Sequence, residues 1–247
     1  MIVTTEFVDV PLPGNPMRTF VAAPGTAGKF PAIWCYSDIF QLTPPMLRAC
    51  VRLAGYGFVA AAPEIYRRIE PPGSAIPFDD AGRTRGLADA AKTPVAHFDA
   101  DCRSGLDWLA KHPQVAPGKI GAMGFCIGGH LAFRAALQPE VRATACWYGT
   151  GIQNGKLGQD ADAGSLTHAS EIKGELSMIF GESDPHVPAD ARAVVDRGLK
   201  SAGVRYETRL FPAEHAFARD EGARFDPEAT DQAFAAMIAL FRRVFAA

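Results

Sequence analysis

The shortages in this sequence exclude more than its excesses do. Cysteine is scarce: Cys35, Cys50, Cys102, Cys126 and Cys146 make an odd total of five, with no CxxC pair. That spacing fits neither a disulfide framework nor a zinc knuckle, so the expectation is a reduced, cytoplasmic protein without a metal site. Charge of either sign is barely in excess, at −2 from 25 Lys+Arg and 27 Asp+Glu. No general attraction to nucleic acid or anionic membrane follows from that balance. No apolar run approaches the ~18 residues that a membrane span needs. The opening MIVTTEFVDVPLPG lacks the basic flank and apolar stretch of a signal peptide. Internal repeats, linkers and low-complexity tracts are missing as well.

What is present is ordinary globular material. The chain has 247 residues, 48% of them hydrophobic and 21% charged, enough for one large buried core. Short apolar runs alternate with helical patterns. Strands are expected at Ala32–Ser37, Phe58–Ala62, Ile120–Phe125, Thr144–Tyr148, Leu176–Phe180 and Tyr206–Phe211. Helices are expected from Thr43-Pro44 to Gly55, from Thr93-Pro94 to near Pro113, over His130–Leu137 and Ala189–Lys200, and after Asp226-Pro227. Between Glu64 and Ala91 the chain is polar and proline-rich, which reads as an irregular stretch outside the core. Alternating strands and helices require crossover connections. The expected fold class is therefore α/β, a mostly parallel central sheet with helices on both faces, in a single domain spanning 1–247.

One junction carries chemistry. Gly124-Phe125-Cys126-Ile127-Gly128-Gly129 sits where a strand gives way to a helix. This is the G-x-nucleophile-x-G elbow, with cysteine in the place more often held by serine. The turn is so tight that side chains two residues from the nucleophile would collide, hence the glycines. It presents the sulfur at a helix N-terminus, where thiolate is favoured. The N–H of Ile127 then faces the position of a developing oxyanion. Phosphate-binding turns fit worse: a Rossmann fingerprint needs glycine where Cys126 stands, and Gly155-Lys156 lacks the rest of a Walker A loop. The other four cysteines read as buried packing residues.

A cysteine nucleophile needs a base, and the base needs an orienting acid. In α/β-hydrolases these follow in the order nucleophile, acid, histidine, in loops after later strands. Asp184 follows the strand ending at Phe180, and His215 follows the strand ending at Phe211. Nearby Glu182, Glu214 and His186 are the competing candidates. His97, His112, His130 and His168 show no ligand spacing and read as surface or packing residues.

With these residues in place the chain resembles the dienelactone hydrolase (carboxymethylenebutenolidase) family of α/β-hydrolases. The likeness runs from about Phe30 to Arg219. It is anchored by Gly-Phe-Cys-Ile-Gly-Gly at 124–129, Ser-Asp-Pro-His-Val-Pro at 183–188 and His-Ala-Phe-Ala-Arg at 215–219. The resemblance implies hydrolysis of a lactone or enol ester through a thiol-ester intermediate, with no metal or organic cofactor. It also implies an acidic residue that activates the cysteine, typically glutamate; here Asp38 matches, one methylene shorter. Further implications are Ile39 as the second backbone oxyanion donor, Phe40 as pocket wall, and two arginines for a substrate carboxylate. Arg219 matches one arginine, and Arg83 and Arg85 straddle the position of the other. Tyr148, with Trp147, is either aromatic pocket wall or core packing.

The expected partner is thus a small-molecule ester or lactone, with no nucleic acid and no membrane; monomer and homodimer are equally compatible. Rival readings are a broader carboxylesterase or thioesterase, or a carbohydrate-active relative, on the same scaffold. A non-catalytic redox-sensing thiol protein is the rival from another class. A nucleotide-dependent oxidoreductase fits least.

Overall fold

A computed structural model describes residues 2–12 and 14–246. Eight strands form one sheet in the order β1-β2-β4-β3-β5-β6-β7-β8. The strands are β1 (Val3–Val10), β2 (Met17–Pro24), β3 (Phe30–Tyr36), β4 (Val59–Pro63), β5 (Val115–Phe125), β6 (Val141–Trp147), β7 (Glu175–Gly181) and β8 (Arg205–Phe211). From β4 through β8 every neighbouring pair is parallel, whereas β1 and β2 join antiparallel at one edge. The helices are α1 (Pro44–Gly55), α2 (Asp80–Lys92), α3 (Val95–Lys111), α4 (Ile127–Ala135), α5 (Ala189–Ser201) and α6 (Pro227–Ala246).

Parallel strands covered on both faces carry apolar side chains at successive positions rather than at alternate ones. β3 shows the consequence. Ala32, Trp34 and Tyr36 belong to the core on the face covered by α3, α4 and α5, while Ile33 and Cys35 belong to the core on the face covered by α1 and α6. Every expected strand and helix keeps its place, with ends shifted by a few residues. α4 opens at Ile127, directly after Cys126, rather than at His130. α3 is capped from a distance: Val95 N–H donates to Asp160 Oδ2 at 2.8 Å, and Thr93 makes no cap.

Two features depart from the sequence reading. The β1–β2 hairpin was not anticipated; β1 turns most of its residues to solvent and so lacks the apolar continuity of the inner strands. The stretch from Glu64 to Ala91 is neither irregular throughout nor outside the core. Ile65, Tyr66 and Ile76 are fully packed, and Arg67 is paired with Asp101 inside the protein. Its second half is α2, whose first turn is capped by Asp79 Oδ1 accepting from Gly82 N–H at 2.7 Å. This helix buries Gly82, Gly86, Asp89 and Ala90, not large apolar side chains, and so shows little hydrophobic periodicity. The small residue is required at Gly86, where a Cβ would stand 2.4 Å from the Ile39 carbonyl oxygen. α2 is thereby seated directly on the loop that follows β3.

Candidate active site

The loops after β3, β5, β7 and β8 meet at the carboxyl edge of the sheet, where ligands of open parallel sheets bind. Cys126 stands between β5 and α4 with φ 58° and ψ −121°, a conformation that L-residues rarely hold. Such a residue costs on the order of 1–3 kcal/mol and persists only where its surroundings enforce it. The surroundings here are close backbone. A Cβ at Gly124 would fall 2.0 Å from Gly128 O, and one at Gly128 would fall 2.3 Å from Ser37 O. The Cys126 N–H is held by Trp147 O at 3.1 Å. The other four cysteines are buried and Cys126 alone is partly open. Burial drives the Cys35 and Cys146 thiols well above their ordinary pKa and that of Cys102 to about 12.

His215 follows β8 and contacts Asp184, which follows β7. Imidazole Nδ1 lies 2.7 Å from Asp184 Oδ2, and both side chains are almost wholly buried. The other carboxylate oxygen, Oδ1, accepts from the N–H groups of His186 (2.8 Å) and Val187 (3.3 Å). Arg192 holds this loop by donating to the carbonyls of Gly181 (3.1 Å) and Val187 (2.8 Å). Burial would raise the Asp184 pKa, but the His215 contact and the backbone donors hold it below the ordinary carboxylate value. At His215 burial pulls the other way. It is outweighed by negative charge on Cys126 and by Asp184, and the imidazole pKa is pushed up to about 9.

Glu182 and Glu214 point to the exterior and are not part of this arrangement. His186 does reach it: its ring meets that of His215 edge-on at 4.7 Å and lines the same cavity. His130, by contrast, is buried between Thr150 O (2.9 Å) and Ser165 Oγ (2.7 Å), with its pKa lowered to about 3 by burial.

The cavity encloses about 330 Å³ and brings together Cys126, Ile127, His215, Ile39, Phe40 and Arg219. Neither the Ile127 nor the Ile39 N–H donates a hydrogen bond within the described residues, leaving both available to an oxyanion. Asp38 also lines the cavity, but its partners are Phe40 N–H (2.9 Å) and Arg219 Nη1 (3.3 Å). No hydrogen bond joins Asp38 to Cys126; the carboxylate is taken up by its own turn at Phe40 and by Arg219. Burial raises the Asp38 pKa against the opposing pull of Arg219 and the Phe40 N–H. Arg219 is further fixed between the rings of Phe40 and Phe78, 4.9 and 4.6 Å from their centroids.

The remaining candidates separate cleanly. Arg83 lines the cavity, whereas Arg85 turns away into a two-pronged pairing with Glu70. Arg85 is therefore corrected from a substrate ligand to a structural anchor of α2. For Tyr148 the core-packing alternative holds in place of the substrate contact: it is fully packed and absent from the cavity lining, with its ring 5.0 Å from that of His215. Trp147 is buried against Phe234 and Met237. Among the lining residues that the sequence reading did not place there are Leu87, Lys156, Leu157 and Arg224. No motif marks them, because they come from loops and from α2. Among the described residues no group of three or more side chains suited to a metal ion occurs, and no helix is long and apolar enough to cross a membrane.

A mostly parallel eight-stranded sheet with its tight Cys126 turn after β5 defines an α/β-hydrolase fold. The comparisons carry this further. The dienelactone hydrolase family model matches residues 17–245, and the chain belongs to that hydrolase family. A Saccharomyces cerevisiae protein named "putative carboxymethylenebutenolidase" is 35% identical over 254 residues, covering 98% of this chain and 93% of the relative. The carboxymethylenebutenolidase of Pseudomonas sp. (strain P51) is 27% identical over 217 residues, covering 88% of this chain and 86% of its own. Among solved structures, one titled as a "putative dienelactone hydrolase" from Klebsiella pneumoniae superposes with a TM-score of 0.87 at 26% identity, covering 98% of this chain and all of that one.

Proposed function

We propose that this protein hydrolyses a carboxylate-bearing lactone or enol ester, with Cys126 as nucleophile, His215 as acid and base, and Asp184 as the residue that orients His215. The reading rests on one observation above all: a cysteine held at positive φ shares a cavity with an imidazole whose far nitrogen is bound to a buried carboxylate. The substrate carboxylate docks on Arg219 and Arg83. The Cys126 thiolate attacks the carbonyl carbon, and the negative charge passes to the oxygen facing the Ile127 and Ile39 N–H groups. Losing one such donor typically costs ~10²–10³ in rate.

The C–O bond then breaks to give a thioester and an oxygen leaving group. The electrostatics favour the timing of the proton that follows. Negative charge on sulfur is a main cause of the raised His215 pKa. Acylation removes that charge, so the imidazolium becomes a stronger acid as the leaving oxygen needs its proton. The neutral ring can next take a proton from water, whose attack on the thioester releases the acid and restores thiolate and imidazolium. Tyr148, packed against His215 from below, keeps the ring in place through these steps.

The test is Cys126→Ala assayed on 4-nitrophenyl acetate and on unsaturated lactones. Loss of turnover with acyl-enzyme trapping on the wild-type sulfur is expected. Unchanged turnover ends the proposal.

A further inference from the structure

The cavity carries more positive charge than a single carboxylate calls for. Arg83, Lys156, Arg219 and Arg224 all line it, and Asp38 is the one acidic side chain among its lining residues. The chain as a whole is at −2, so this is a local concentration. Asp38 is engaged by Arg219 at 3.3 Å. Arg224 has loose partners, with Nε 3.7 Å from Glu214 and Nη1 3.4 Å from the His215 carbonyl. Arg83 and Lys156 form no ion pair among the described residues, although Arg85, on the same helix as Arg83, is paired.

Arg83, Lys156 and Arg224 are exposed at the cavity mouth, but they converge on it from fixed elements. Arg83 and Arg224 both bear on His186, the ring that touches His215: after burial and the charge of His215 itself, they help to hold the His186 pKa down. Lys156 belongs to a fastened loop. Leu157 beside it is buried, Gln159 N–H donates to Thr93 O at 2.9 Å, and Asp160 caps α3. Like charges converging on one cleft repel one another unless an anion enters, and they draw anions in from solution. One carboxylate on Arg219 and Arg83 leaves Lys156 without an ion pair among the described residues and Arg224 with only its loose contacts to Glu214 and the His215 carbonyl.

We infer that Arg224 and Lys156 form a second anion subsite and that the preferred substrate is a dianionic ester or lactone, carrying a second carboxylate. This deepens the hydrolase reading and rests on it. The experiment compares kcat/KM of the full chain on 4-nitrophenyl acetate, mono-4-nitrophenyl succinate and a 4-nitrophenyl monoester of tricarballylic acid, which are neutral, monoanionic and dianionic. At low salt the dianion should exceed the monoanion at least tenfold, about 1.4 kcal/mol. The gap should narrow in 0.5 M NaCl, about the level where exposed charges are strongly screened. Arg224→Ala and Lys156→Ala should each depress the dianion at least fivefold more than the monoanion, and Arg224→Lys should restore part of the difference. Equal use of monoanion and dianion, or a preference that survives both alanine substitutions, overturns the second subsite alone. Hydrolysis of the monoanion by Cys126→Ala at the wild-type rate would instead overturn the cysteine mechanism beneath it, and no hydrolysis of any of the three esters by the wild type would overturn the hydrolase reading.

Discussion

His215 Nδ1 meets Asp184 Oδ2 at 2.7 Å, while the second oxygen of the same carboxylate is occupied by the His186 and Val187 N–H groups. Asp184 is thus fixed from the backbone before it fixes the imidazole. Asp184→Asn preserves the shape but can present an N–H to Nδ1, favouring the tautomer that leaves the wrong nitrogen protonated. Loss of activity of about 10²–10⁴-fold is expected, by analogy with triads in which the acid was amidated. The His215 pKa should fall well below about 9 at the same time. An NMR titration of the ring beside the steady-state kinetics checks both; an Asn variant with wild-type kcat would show that Asp184 does not orient the base.

The elbow glycines are a packing requirement with a measurable cost. Gly128→Ala would drive a Cβ to 2.3 Å from Ser37 O, and neither backbone can yield without moving β3 against α4. Overpacking of this kind typically costs ~1–3 kcal/mol. Urea unfolding of Gly128→Ala should show at least that loss, together with reduced turnover, because the shift moves Cys126 and the Ile127 N–H. A variant as stable as wild type would mean that the close approach is absent in solution.

This same junction explains how much could be read without coordinates. Gly124, Cys126 and Gly128 are spaced by a backbone geometry that tolerates few alternatives, so the motif transmits its structure directly. Asp184 follows β7, a strand buried on both faces whose apolar run marks where its loop begins. His215 follows the edge strand β8, which is mostly exposed and is marked by its closing Leu210-Phe211. β1 offered no such run, since its exposed side carries Thr4, Glu6 and other solvent-facing residues. α2 was opaque for a different reason. Its contact with the β3 loop is made at Gly86, and its other buried positions, Gly82, Asp89 and Ala90, are small or polar and leave no hydrophobic stripe. Missing that helix left Arg83 and Arg85 indistinguishable. On a helix, residues two apart diverge by about 200°, so one of the pair had to face away. Asp38 shows a third limit: a turn residue's sequence position does not reveal which of two neighbours, sulfur or guanidinium, its carboxylate will meet.

The divergence of the two arginines is testable. Arg83→Ala should raise KM for a carboxylated ester about tenfold or more with a smaller change for 4-nitrophenyl acetate, since it removes a cavity cation. Arg85→Ala should leave kcat/KM for both esters within about twofold, an exposed position outside the cavity having little hold on transition-state binding. Steady-state kinetics on the two esters is sufficient. The reverse pattern would mean that α2 sits one face differently from the arrangement seen here.

The raised His215 pKa also links catalysis to folding, and the sign follows from which state holds the proton. In the unfolded chain the imidazole titrates near its ordinary 6.5, and in the folded chain at about 9. Between those values the folded state binds the extra proton. The contribution to stability is therefore complete below about pH 6.5 and disappears as pH rises through about 9. A displacement of that size corresponds to at most ~3 kcal/mol. Much of it depends on negative charge at Cys126, so the effect should shrink in Cys126→Ser, whose hydroxyl stays neutral over this range. Urea unfolding at pH 6 and pH 9.5 should accordingly show a larger loss for wild type than for Cys126→Ser. Equal losses in the two proteins would mean that the imidazolium is held by Asp184 alone, and that the sulfur bears no charge in the resting protein.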